Sequence, residues 1–131
     1  MLRRTADWLE QARGEFKAAR DLYSTGNHAW CCFACQQAAE KALKALLEHF
    51  GTPAVGHNLL ALIAEVEKHV EVPDDVKRAC RILNRYYIST RYPNAFPSGA
   101  PIHMFDEEDS RQALELAVRV LNFAENTAKT A

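Results

Sequence analysis

Apolar residues recur at helical spacing along most of this chain, and polar, glycine or proline breaks divide them into five stretches. Trp8, Ala12, Phe16, Ala19 and Tyr23 predict a first helix over about residues 5–24. Ser24-Thr25-Gly26-Asn27 ends it, Gly26 suiting a left-handed C-terminal position and Asn27 placed to cap the next helix. That second helix runs to about Phe50. Cys35, Ala39, Leu43, Leu46 and Phe50 form its apolar stripe, and Cys31, Ala34, Ala38, Ala42 and Ala45 form an adjoining seam of small residues. Small side chains let a neighbouring axis come toward the short end of the usual ~8–10 Å separation. A helix apolar over most of its circumference belongs at the centre of a bundle. Outside the stripe, Glu40 and Lys44 read as an exposed i,i+4 ion pair, with Trp30 and Phe33 on the flank.

Gly51-Thr52-Pro53 stops the second helix, and His57 or Asn58 opens a third with Leu59, Ile63, Val66 and Val70 in register. Pro73-Asp74-Asp75 restarts the chain, since proline and acids both suit a first helical turn. Val76, Ala79, Leu83 and Tyr87 then face inward on a fourth helix. Pro93 biases Tyr92 away from helical geometry, so this helix ends near residues 90–92. Residues 93–105 hold three prolines and a glycine and are irregular. Asp106-Glu107-Glu108-Asp109 caps a last helix reaching about Thr127, with Ala113, Leu116, Ala117, Val120 and Ala124 buried. No strand pattern or internal repeat is present. The expectation is an all-α, up-and-down bundle of about five helices around a four-helix core, with residues 1–131 as a single domain.

Charge adds little. Sixteen basic and seventeen acidic side chains nearly cancel, so a binding surface for nucleic acid must be local. No apolar run is long enough to cross a bilayer, and the two arginines near the N-terminus precede no apolar stretch of the kind a signal peptide needs. Cys31, Cys32, Cys35 and Cys80 follow no disulfide framework and read as reduced, partly buried thiols. The cytoplasm is the expected compartment, with no membrane partner.

Local chemistry is confined to a few residues. Lys77, Arg81 and Arg85 stand at i, i+4 and i+8, with Arg78 beside them and Arg91 beyond. Such a stripe can converge on phosphate or can be a solvated face. Arg91 either reaches a ligand or clamps the 93–105 loop through backbone carbonyls. Tyr86, Tyr87 and Tyr92 can stack a base; Tyr87 falls on the inward face, which leaves Tyr92 the better candidate. His28, Cys32 and Cys35 share a helical face and offer three soft ligands, but a structural zinc needs a fourth, and packing is the preferred reading. His57 is most simply a cap residue. No metal and no cofactor are expected.

Three stretches together resemble the HEPN domain family. Gln36-Gln37-Ala38-Ala39-Glu40-Lys41-Ala42-Leu43-Lys44-Ala45-Leu46-Leu47 resembles that family's second helix almost letter for letter. His57-Asn58-Leu59 is similar to its H-x-L start of helix three, and Arg91-Tyr92-Pro93-Asn94 to its RYPD signature after helix four. Asp7-Trp8-Leu9-Glu10-Gln11-Ala12 also fits. The resemblance implies a bundle that dimerises with itself, nucleotide or RNA as the ligand class, and a minimal nucleotidyltransferase as partner in a toxin–antitoxin-like module. The candidates it raises for ligand contact are Arg85, Arg91, Tyr92, Asn94 and His57.

Ribonuclease members of the wider family carry an Arg followed a few residues later by a His. Here Arg20 and His28 are too far apart and at the wrong end of the fold, and Arg91 lies far upstream of His103. Asn94 also replaces the signature's Asp, removing a charge and a possible general base. A non-catalytic binding subunit is therefore the leading expectation. Its rivals are a metal-independent ribonuclease using Arg91, Arg85 and His103 or His57, and a helical scaffold without a ligand.

Overall fold

The structure is a computed structural model that describes residues 3–130. Helices α1 (Arg3–Ser24), α2 (His28–His49), α3 (Leu59–Glu67), α4 (Asp74–Leu83), α5 (Tyr86–Ser89) and α6 (Glu107–Thr130) follow in order, with 3-10 turns at Pro93–Ala95 and Pro101–His103. No strand occurs among the described residues. The five expected helices are present, the fourth continuing past a break as the single turn of α5.

Cross-helix bonds give the chain directions. Tyr23 donates to Glu107 at 2.9 Å and Arg13 to Glu125 at 2.7 Å, so α1 and α6 run antiparallel. His28, at the start of α2, lies 2.7 Å from Ser110 at the start of α6, so those two run parallel. Phe33 near the start of α2 meets Tyr87 just after α4, and Phe50 after α2 meets His69 before α4, so α4 runs against α2. Helices α1, α2, α4 and α6 make an up-down-up-down core, and α3 packs beside α2 and α4.

The reason α2 is central lies in its sequence. Thirteen of its residues are buried, from Ala29 to Leu47, including Cys31, Ala38, Ala42 and Ala45 of the small-residue seam. It packs on α1 and α6, whose buried Ala113, Ala117, Ala124 and Ala128 are equally small. All four cysteines are buried free thiols. Burial pushes those of Cys32 and Cys80 up to about 12, and a hydrogen bond with Cys31 together with burial raises Cys35.

The helix ends follow local chemistry. Gly26 takes the left-handed conformation at φ 78°. Asp106 and Asp109 exchange side-chain-to-amide bonds at 3.0 Å each, a reciprocal cap for α6, and the amide of Asp109 holds the Asp106 carboxyl below its usual range. Asn27 occupies the position before α2 but makes no capping bond; its amide donates to Thr25 instead. Two expectations change at α3. Asn58, not His57, is the cap, accepting from the amides of Leu60 and Ala61. The helix also stops at Glu67, leaving Val70 half-buried beyond it.

Candidate functional site

The break between α4 and α5 creates the local geometry. At Asn84 and Arg85 the backbone keeps helical angles but tightens, with the Arg85 amide donating to Ile82, three residues back. Three residues per turn aligns Tyr86 with Leu83, so Tyr86 enters the core, while Tyr87 stays half-buried at its edge. Asn84 meanwhile accepts the Leu59 amide at 2.8 Å. It satisfies a third amide at the start of α3, which Asn58 cannot reach.

The half-buried Tyr87 is a platform. The His57 imidazole stacks on it, with ring centroids 4.4 Å apart and planes 15° from parallel. His57 Nδ1 lies 2.9 Å from Glu40 Oε1, and Gln36 donates to the His57 carbonyl at 3.1 Å. Glu40 is 2% exposed and its second oxygen pairs with Lys44 at 3.2 Å, so this ion pair is an interior one rather than the exposed pair expected from spacing. The cost of desolvating a carboxylate is offset here by Lys44, His57 and the amides of Gln36 and Gln37.

Arg91 also packs on Tyr87. Both Nε (2.9 Å) and Nη2 donate to the Tyr87 carbonyl. The guanidinium also faces the rings of Phe33, Tyr87 and Tyr92, with centroids at 4.3, 4.7 and 5.0 Å. Arg91 thus clamps a carbonyl of α5, not of the 93–105 loop. Next to this stack, His57, Asn58, Asn84, Arg85, Tyr87 and Ile88 line an open depression of about 250 Å³.

Comparison with known proteins fits this construction. The HEPN domain profile matches residues 5–127. The chain belongs to the HEPN domain family. Among solved structures, a Thermus thermophilus protein superposes with a TM-score of 0.92 at 43% identity, covering 95% of this chain and 98% of that one. An archaeal HEPN homologue superposes at 0.82 with 32% identity, covering 98% and 99%. A HEPN domain protein from Thermotoga maritima, at 24% identity and 0.79, shares the fold over 95% and 99%. No functionally curated protein matches.

Of the five HEPN candidates, the structure brings His57 and Arg85 into one depression. Arg91 packs on Tyr87 without lining the depression, and exposed Tyr92 lies against Arg91. Asn94 is exposed in the first 3-10 turn and lines no part of the depression. The basic stripe divides: Lys77 pairs with Glu67 at 2.7 Å, which raises its pKa, whereas Arg85 makes no ion pair among the described residues. His28 bonds Ser110, and no cluster of three or more His, Cys, Asp or Glu is placed to hold a metal among the described residues.

The sequence does not single out Gln36, Glu40 or Asn84 as site residues. A signal for the first two existed. They stand one turn apart on a helix that is apolar over most of its circumference, where a polar pair must find partners.

Proposed function

We propose that this HEPN chain is a binding subunit rather than a catalyst. It acts as one unit over residues 1–131, in the cytoplasm, and holds the phosphate of a nucleotide or RNA in the depression beside α5. The observation that carries this reading is the pairing of Arg85, a cation without an ion-pair partner among the described residues, with a histidine anchored by a buried carboxylate, both lining one concavity. Each charge-assisted contact to phosphate is worth about 1.5–3 kcal/mol, so losing the one from Arg85 should be measurable.

A homodimer is part of the proposal, because Trp30, Ile88, Tyr92 and Ile102 are large apolar side chains left exposed at 46, 48, 47 and 61%. A two-fold interface would double the basic groups. The family likeness supports a minimal nucleotidyltransferase as the second partner, in a toxin–antitoxin-like module. No helix among the described residues is long and apolar enough to cross a membrane.

Calorimetric titration with nucleotides and short RNA tests the site. Wild type should bind, and Arg85→Ala should bind at least about tenfold more weakly. No binding at millimolar ligand, or equal binding by the variant, overturns the assignment. Light scattering should return a dimer mass at micromolar concentration. The Glu40–His57 pair also favours one second reading, a metal-independent ribonuclease with His57 as its base. RNA cleavage in the presence of chelator that disappears in His57→Ala would establish it. His103, exposed and outside the depression, is not needed for that reading.

A further inference from the structure

We infer that Glu40 fixes the proton of His57 on Nδ1, so that Nε2 accepts a ribose hydroxyl from a ligand whose phosphate lies on Arg85. The inference rests on the phosphate-site reading above and adds what that site selects: a ribonucleotide backbone, independent of the base.

The tautomer follows from the partners. An ionised carboxylate only accepts hydrogen bonds, so a ring nitrogen 2.9 Å from Glu40 Oε1 carries its hydrogen. The other Glu40 oxygen already has the Lys44 ammonium at 3.2 Å, so the carboxylate charge is matched without a second cation. With Nδ1 as the donor, the lone pair of the neutral tautomer lies on Nε2. Orientation is fixed as well, since Tyr87 holds the ring face and Gln36 holds the main-chain carbonyl of the same residue. A ligand-facing histidine is commonly set in this way by a carboxylate on its far nitrogen.

Nε2 is also the atom left for a ligand. The His57 side chain is 50% exposed, and Nε2 makes no hydrogen bond among the described residues. The Asn58 and Asn84 oxygens around it are engaged by amides of α3. The depression, at about 250 Å³, falls below the roughly 300–1,000 Å³ of sites that enclose a drug-sized ligand. The free groups, His57 Nε2 and the Arg85 guanidinium, address a sugar and its phosphate and not a base. A 2′-hydroxyl can donate to such an acceptor, and a deoxyribose cannot.

Two measurements test this. Nitrogen-correlated NMR of wild type at mildly alkaline pH should show His57 as the Nδ1–H tautomer, and Glu40→Gln should lose that preference while circular dichroism stays unchanged. Titration with oligoadenylate RNA, oligouridylate RNA and oligodeoxyadenylate of one length should favour both RNAs over DNA by about tenfold. His57→Ala should bind all three alike and weakly. An Nε2–H tautomer in wild type, equal affinity for RNA and DNA, or an RNA preference that survives in His57→Ala overturns the inference alone. Failure of all three oligomers to bind overturns the phosphate site and the inference with it.

Discussion

The Arg91 guanidinium lies 4.3 Å from the centroid of the Phe33 ring and so ties the end of α5 to the first half of α2. Two of its nitrogens meanwhile hold the Tyr87 carbonyl, one of the carbonyls a helix end leaves without a partner. Only a planar, forked cation can cover an aromatic face and bridge to a carbonyl edge-on.

Arg91→Lys should therefore behave as a destabilising change and not as a conservative one. Urea denaturation should show a loss of about 1–2 kcal/mol, compounded from a hydrogen bond to a charged group and a partly desolvated cation–π contact. A variant with unchanged stability would mean that the clamp does not hold in solution.

Asn84→Ala should cost about 1–3 kcal/mol, because the buried Leu59 keeps its amide away from water once the side-chain oxygen is gone. Asn84→Asp should recover most of the loss, since the acceptor returns. Hydrogen exchange at the Leu59 amide should quicken in the alanine variant and not in the aspartate one.

Stability should fall on the alkaline side. Cys32 and Cys80 are held near 12 in the folded chain against about 9 for a free thiol. A group raised on folding contributes fully below its unfolded value, and the contribution is lost as pH rises toward the folded one. Between about pH 9 and 12, unfolding frees thiols that can ionise. One pH unit into that window should remove about 1 kcal/mol per thiol. Denaturation midpoints measured from neutral to alkaline pH check this, and a Cys32→Ala, Cys80→Ala double variant should show a flatter decline.

What the chain reveals before folding divides by distance along it. The α2 seam, the turn at Gly26 and the Asp106–Asp109 cap are written in neighbouring residues, and periodicity reads them. The Glu40–Lys44 pair is legible as a pair, but spacing on one helix says nothing of what covers it. Asn84 serves an amide 25 residues away, and no local pattern announces that. The setting of Tyr87 between His57, Phe33 and Arg91 depends on contacts that helical periodicity alone does not predict. Hence the sequence names His57 and Arg85 as candidates without showing that one depression holds both.

The parallel contact between α2 and α6 sets a condition on synthesis. His28 and Ser110 are 82 residues apart, whereas α1 and α2 form a local hairpin. A nascent chain leaving the ribosome can close that hairpin early, since domains build from the N-terminal side at about 5–20 residues per second. The part of α2 that packs on α6 then stays bare until α6 emerges. Over those seconds it is exposed apolar surface open to aggregation, and a transcript cut short before α6 would leave a chain that cannot cover it.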